Sequence, residues 1–562
     1  MVSFLTRLKR TPATEQPEEE TGGTASRIRR FTRPTITVLA WLLLLAALIL
    51  PNDLNRLTPV AFLRIPVEAL IAMVLILVAP RRVSRWGAVA GGVLVGLVTI
   101  LKVADMGFYK AFERPFDLLS DWTFLSSGID LLAGQLGRAG AIAAVIGIGI
   151  LAVGVVVLMV LSALRVTRVV AGHRTASTRA VAVLGVVWLV CAVVGVEIAP
   201  GQPIAARSAG AQAYNDTRQV VAELRDHQAF AAEAAVDAYR DTPGNQLLTA
   251  LRGKDVLLTF VESYGRVAVQ DSDIAPAIDK LLDDGTSRLR AAGYSARSGF
   301  LTSSTAGGGS WLAHSTLQSG LWVNSQQRYD NLMTRDRLTL SSAFHRAGWQ
   351  TVHDVPAHFT PWPEGKKFYG FDRYYDAPSL GYKGPFFSYA PMPDQFILSK
   401  FQQAERAAPH APMMAEVDLV SSHWPWAPLP RMIGWNDLGD GSVYGPIRAQ
   451  SKSIDEVWKD SASVRAAYGE SIQYSLNTLI SYVENYGDDN LVLVFLGDHQ
   501  PNQAVTGENA SKDVPITIVA RDPAVLDRIS TWGWTEGLRP SPQAPVWPMN
   551  TFRDKFLAAY SR

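Results

Sequence analysis

The sequence predicts a fold in two parts: five N-terminal transmembrane helices, then an extracytoplasmic α/β domain with a mostly parallel sheet. Three observations carry this. Five apolar stretches lie before residue 199, basic residues gather in alternate loops between them, and from Asp255 onward short strand-like runs alternate with segments of helical period.

The chain has 562 residues, 48% of them hydrophobic, and a mean hydropathy of +0.09, high for a soluble enzyme. Part of it belongs in lipid. Its formal net charge of +2 gives no electrostatic case for nucleic acid or for an acidic partner, and no nucleic acid is expected. The single cysteine, Cys191, sits inside an apolar run. The polar remainder therefore has no thiol for a disulfide, a zinc-thiolate site or a nucleophile.

Residues 1–34 combine a Pro/Glu/Thr stretch with Arg7, Lys9, Arg10, Arg27, Arg29, Arg30 and Arg33, and read as a disordered basic cytoplasmic tail. The apolar stretches follow at 35–50, 58–79, 86–105, 139–164 and 180–198, most approaching the ~20 residues that cross ~30 Å of hydrocarbon. No small-residue cleavage site follows the first, so a removed signal peptide is not expected. Arg81, Arg82 and Arg85 follow the second stretch, and Arg165, Arg168, Arg174 and Arg179 follow the fourth, so these loops belong to the cytoplasmic side with the tail. The segment from Met106 to Gly137, rich in Phe and Trp, suits an interfacial element on the outer side. Everything after Ala199 then lies outside a plasma membrane. Arg64 with Glu68, and Lys102 with Asp105, stand within or beside apolar stretches; they read as buried or snorkelling ion pairs, or alternatively as a lipid headgroup site.

Residues 199–254, rich in Ala, Gln and charge, read as a helical connector to a catalytic domain over 255–562. There VLLTFVES, MMAEVDLVSS, NLVLVFLGDH and VPITIVA have strand character, separated by helical segments such as AAYGESIQYSLNTLISYVENYG. Parallel sheets place their chemistry at the carboxyl ends of their strands. Those ends carry Glu262, His423, Asp498 and His499. Carboxylate and imidazole donors suit Mn²⁺, Mg²⁺ or Zn²⁺. Taken singly, such a residue after a strand is more often a cap or a loop group.

The segment SSTAGGGSWLAHSTLQSG, residues 303–320, places Ser310 between a glycine run and a helical stretch. A hydroxyl there meets free backbone N–H groups and the positive end of the helix dipole, and a bound metal would turn it into a nucleophile toward phosphorus. The bland alternative is a flexible turn with Ser310 as an N-cap.

The order of Glu-Ser after the first strand, a Gly-rich segment leading into a small-residue helix, FYGFDRYYD, SSHWPW, and GDHQP followed by VPITIVA resembles lipoteichoic acid synthases and related sulfatase-like phosphoglycerol and phosphoethanolamine transferases. The resemblance covers all but the tail. It implies the alkaline-phosphatase-like (sulfatase-like) fold, with Glu262, Ser310, Asp498 and His499 as metal ligands, Ser310 also as nucleophile, and His423 binding phosphate or assisting proton transfer. One Mn²⁺-like ion is implied, with Mg²⁺ or Zn²⁺ also suitable. The family commonly uses Thr where Ser310 stands, and Ser303, Ser304 and Thr305 compete for the role. Trp362 matches a headgroup-contacting Trp, but the arginine near it is out of register; Lys366 or Lys367 would supply the cation, unless both are solvated loop residues. No C/S-x-P-x-R element surrounds Ser310, which disfavours sulfate hydrolysis.

The implied reaction transfers a phosphoglycerol-type group from a phosphatidylglycerol-like phospholipid to an envelope glycan or glycolipid acceptor. Rival expectations are a phosphodiesterase or phosphatase that passes the group to water, and a non-catalytic membrane scaffold.

Overall fold

Proline placement divides the second apolar stretch. The computed structural model describes residues 23–562 except 113, 120, 200, 201, 271 and 508. It divides into one unit of Met1–Met106 with Leu125–Asp216 and a second of Gly107–Phe124 with Thr217–Arg562.

In the first unit, α1 (Gly23–Ile49), α2 (Val67–Val78), α3 (Arg81–Phe112), α4 (Phe124–Gly172, kinked at Gly137, φ 74°) and α5 (Arg174–Val194) follow in order. Among the described residues, three spans are long and apolar enough to cross a bilayer: Arg81–Lys110, Gly137–Gly172 and Arg174–Val194. The expected first and second spans are shorter, with apolar helices at Pro34–Ile49 and Val67–Val78. The stretch 58–79 is divided by the 3-10 turn Pro59–Leu63 and by Pro66, which cannot donate to a helix ladder. The 12 residues left in α2 rise only about 18 Å. Of the expected disordered tail, residues 1–22 lie outside the described residues. From Gly23 the backbone is already helical, because extending an existing helix through Arg, Ser and Ile costs little per residue.

The charged groups of this unit are not paired as expected. Arg64 precedes α2, so it is not one helical turn from Glu68; it donates to Ala61 O and Ile49 O, while Glu68 accepts from Gly210 N. Lys102 Nζ instead closes the carboxyl end of α1 through Ala47 O and Leu48 O at 3.1 and 3.0 Å. A cation satisfies the orphan carbonyls and the negative dipole end there. Asp105 accepts from Asn52 and Gln212.

The second unit is built on a nine-stranded sheet. Its strands are β1 (Asp255–Val261), β2 (Ser295–Thr302), β3 (Gln350–Val355), β4 (Arg373–Asp376), β5 (Met413–Leu419), β6 (Leu491–Gly497), β7 (Asp513–Ala520), β8 (Thr535–Glu536) and β9 (Val546–Pro548). Their order is β8-β2-β7-β6-β1-β5-β3-β4, with β9 parallel to β2. The run β6-β1-β5-β3-β4 is parallel and β7 is antiparallel to both neighbours. Two reversals leave β2 pointing the same way as β6, so the ends of β1, β2, β5 and β6 share one edge.

Both faces of the sheet are covered. Along β1, Leu257 and Val261 face a core that includes α7 (Ala275–Ala291) and the helix Ser461–Tyr486, whereas Val256, Leu258 and Phe260 face one that includes α8 (Ser310–Ser319) and the C-terminal helix. This is the period-2 pattern of a strand buried on both sides. Among the described residues of the connector, the α-helix covers only α6 (Ser208–Ala235). Beyond it the chain joins the domain: Leu247, Leu248 and Leu251 are fully buried. Part of the Phe/Trp-rich segment expected on the outer side also belongs here, with Lys110 Nζ 5.7 Å from the Trp424 ring and 5.3 Å from Trp458.

Candidate active site

Two strand ends and one helix start bring Glu262, Ser310, Asp498 and His499 together. Glu262 follows β1, and Asp498 and His499 follow β6, whose parallel pairing sets Gly497 beside Val261. A side chain at position 497 would not fit, since a Cβ there would lie 1.9 Å from Tyr264 O. Ser263 adopts φ 56°, a left-handed conformation costly for a residue with a side chain. Its N–H donates to Asp498 Oδ1 at 2.8 Å, and its O accepts from Tyr468 Oη at 2.9 Å. The turn after β1 therefore orients the carboxylate after β6.

Gly307, Gly308 and Gly309, with φ of 72°, 159° and 80°, swing the chain into α8, where Ser310 is the first residue. Ser310 Oγ donates to Glu262 Oε2 at 3.1 Å and lies 3.3 Å from His499 Nε2. His499 Nε2 lies 3.4 Å from Glu262 Oε1 and 3.6 Å from Asp498 Oδ2. His499 Nδ1 faces Gln500 O at 2.8 Å and so carries the proton, leaving Nε2 as a lone-pair donor. Three oxygens and one nitrogen spaced in this way fit a four-coordinate divalent ion with bonds of about 2.0–2.2 Å.

The electrostatics point the same way. Burial first, and then the Glu262 charge, push the Asp498 carboxyl up to about 6. For His499, burial opposes protonation but Asp498 and Glu262 outweigh it and raise the imidazole. Two carboxylates so close together are stabilised by a cation between them.

The rival hydroxyls are engaged elsewhere. Ser303 Oγ donates to Asp498 O at 2.6 Å, Ser304 Oγ accepts from Thr316 Oγ1 at 3.0 Å, and Thr305 Oγ1 donates to Gly308 O at 2.5 Å. His423 stands after β5 with its ring stacked on Tyr389 at 3.7 Å; its Nδ1 donates to Trp424 O at 2.6 Å. Burial is the chief cause that pushes it down to about 4, which leaves a neutral imidazole with Nε2 unprotonated at pH 7.

Trp362 lies 6.4 Å from the His353 ring and 5.7 Å from His358, packed over Gly365. Lys366 and Lys367 are exposed on the short helix Pro363–Tyr369, and among the described residues no hydrogen bond or ion pair joins either to the cluster. Sequence reading missed Ser263 and Tyr389. Neither has a local signature, because a positive φ and a ring stack arise only from distant partners.

The sulfatase family model matches residues 280–513, a stretch that includes Ser310, His423, Asp498 and His499. No curated protein matches the chain by sequence. Among solved structures, the chain is similar to the lipoteichoic acid synthase LtaP from Listeria monocytogenes, at 17% identity, TM-score 0.34, and coverage of 55% of this chain and 73% of that one. The integral membrane lipooligosaccharide phosphoethanolamine transferase A from Neisseria meningitidis aligns over 94% of this chain and 95% of its own, at 13% identity and TM-score 0.40. The Streptococcus pyogenes phosphoglycerol transferase GacH, in complex with sn-glycerol-1-phosphate, aligns at 12% identity and TM-score 0.34, over 60% and 91%.

Proposed function

We propose that this chain, which carries a sulfatase-family domain of alkaline-phosphatase-like fold, is a membrane-anchored phosphotransferase. It moves a phosphoglycerol-type group from a phosphatidylglycerol-like lipid to an envelope glycan or glycolipid through an intermediate on Ser310. The observation that carries this reading is a hydroxyl at a helix N-terminus, 3.1 Å from one candidate ligand atom and 3.3 Å from another.

A divalent ion held by Glu262, Ser310, Asp498 and His499, most simply Mn²⁺ and alternatively Mg²⁺ or Zn²⁺, would acidify the serine hydroxyl and offset charge on the phosphoryl oxygens. Ser310 Oγ, its proton lost to solvent water, forms its bond to phosphorus as the bond to the diacylglycerol oxygen breaks, and that oxygen leaves on taking a proton from water. The positive end of the α8 dipole favours the developing charge. In the second step the acceptor hydroxyl gives its proton to neutral His423 Nε2 as its oxygen displaces Ser310 from phosphorus. Trp362 offers an apolar wall for the headgroup.

The three long apolar helices, an odd number, carry the chain after Ala199 to the face opposite the loops of Arg81 and Arg174. With the basic loops cytoplasmic, the catalytic domain is extracytoplasmic, beside the outer-leaflet donor.

Mass spectrometry of the protein after incubation with donor lipid tests the reading. A phosphoglycerol adduct on Ser310 that disappears when glycolipid is added supports it, and an unmodified Ser310 with ongoing turnover overturns it. The sulfatase family match favours a second reading in which water is the acceptor; glycerol phosphate released at the same rate with and without glycolipid would select it.

A further inference from the structure

Four side chains that the proposed reaction does not use meet on the sheet face covered by α8. Glu416 and Asp418 alternate along β5 and so share a face. His353 of β3 is in register with Glu416. His314 stands one turn beyond Ser310 on α8.

Their separations are regular. His314 Nδ1 is 3.2 Å from Glu416 Oε1 and 3.7 Å from Asp418 Oδ1; His353 Nε2 is 3.7 Å from Glu416 Oε1 and 3.6 Å from Asp418 Oδ2. His353 is 4% exposed and Glu416 2%. Neither ring nitrogen of His353 makes a hydrogen bond, and neither does Asp418 Oδ1. Only the His314–Glu416 contact is a hydrogen bond; the other three separations, at 3.6–3.7 Å, are too long for one, and polar atoms buried without partners are costly. Ligand atoms about 2.0–2.1 Å from a tetrahedral zinc-type ion, by contrast, stand roughly 3.3–3.5 Å apart.

We propose that His314, His353, Glu416 and Asp418 form a second divalent-cation site of tetrahedral, zinc-like type, with ligands distinct from Glu262, Ser310, Asp498 and His499. Two imidazoles and two carboxylates balance a dication, which resolves the burial of two like charges on one strand. The ligands are themselves held: Gln318 Nε2 donates to Glu416 Oε2, and the Phe260 ring stacks on His314 at 3.6 Å and 13°. With all four positions filled by protein, the site is structural. It ties α8 to β3 and β5, and so fixes the helix that begins with Ser310.

The test is metal stoichiometry in the detergent-purified full-length protein, stripped with chelator, reloaded with cobalt(II) and desalted. Wild type should hold two equivalents, Asp498→Ala/His499→Ala one, and His314→Ala/His353→Ala one. The cobalt retained by Asp498→Ala/His499→Ala should show the intense visible bands of a tetrahedral ion. One equivalent in wild type, none in Asp498→Ala/His499→Ala, or a weak octahedral spectrum there would overturn the proposal. Glu416→Gln in the Asp498→Ala/His499→Ala background preserves volume and should weaken the remaining site at least tenfold; unchanged affinity would overturn it even if the double-histidine variant fails to fold. Because binding is read, not turnover, the outcome is independent of whether Ser310 transfers phosphoglycerol.

Discussion

The backbone N–H of Ser263 donates to Asp498 Oδ1 at 2.8 Å, so the residue that follows one candidate metal ligand holds the carboxylate of another. Ser263 Oγ also donates to Glu262 Oε1 at 2.9 Å. The edge carrying the candidate metal ligands is thus a cross-braced pair of turns, and its predicted sensitivities follow from that.

Removing a ligand should remove the metal bound there. Asp498→Ala or His499→Ala leaves an open, poorly charged set, and 10–100-fold or greater loss of affinity is expected even from lesser changes around such sites. Elemental analysis and turnover should fall together; unchanged metal affinity at this site would remove the residue from it.

Ser310→Ala should keep the fold, bind donor lipid and form no covalent species, with turnover reduced by several orders of magnitude. Ser310→Thr restores a hydroxyl at the same helix start and should recover part of the rate. An adduct found on Ser303, Ser304 or Thr305 would show that the buried contacts of those hydroxyls do not hold in solution.

Gly497→Ala should damage the site without touching a ligand. The added Cβ would meet Tyr264 O at 1.9 Å, and backbone cannot move aside as a flexible side chain can. A loss of about 1–3 kcal/mol or more is expected, with weakened metal binding because Asp498 follows directly. A wild-type melting temperature and metal content would contradict the close packing of these two turns.

At saturating metal, the acid limb of activity should follow His423. Burial lowers its folded value to about 4, and the working form is neutral, so activity should persist well below pH 6 and fail as pH drops through about 4. Metal affinity has a separate dependence: Asp498 lies near 6 before a cation binds, so affinity should decline as pH falls through that value. A single ionisation near the ordinary histidine value of about 6.5 governing both quantities would argue against these assignments.

The end of the chain should matter to stability through Asp237. Its side chain and that of Arg553 are both fully buried and paired at 3.1 Å, with Arg337 3.3 Å from the same carboxylate. Burial raises the Asp237 carboxyl, but Arg553 and Arg337 outweigh it and hold it below the usual range. A depressed folded value means stability that is complete above the unfolded value of about 4 and lost as pH falls through the folded one. Asp237→Asn should cost on the order of 3–5 kcal/mol at neutral pH and remove that acid dependence. Denaturant titrations at two pH values check both, and an equal loss at low and neutral pH would refute the linkage.

Much of this arrangement was legible in the sequence because it rests on local patterns. Apolar runs ending in Glu262 or in Asp498 and His499 announce buried strands with polar ends, and parallel pairing brings such ends to one edge. The glycine run before Ser310 is equally local, since left-handed backbone favours glycine wherever it occurs. Pro59 and Pro66, visible in the same stretch, carry the signal that the second apolar segment is divided, and there hydropathy alone misled. Other features were decided by contacts between distant residues. Arg64 and Glu68 are four apart, yet one precedes its helix, so the expected pair does not form. Ser303, Ser304 and Thr305 carry the same hydroxyl as Ser310, and what sets them apart is the hydrogen-bond partners that folding supplies. His353 faces Glu416 only because β3 and β5 pair in one register, and His314 reaches them only when α8 packs on that face. Local pattern therefore determined which residues could carry chemistry. The tertiary structure decided which of them meet, because strand register and helix docking are set by burial of the whole core and not by any residue's neighbours in the chain.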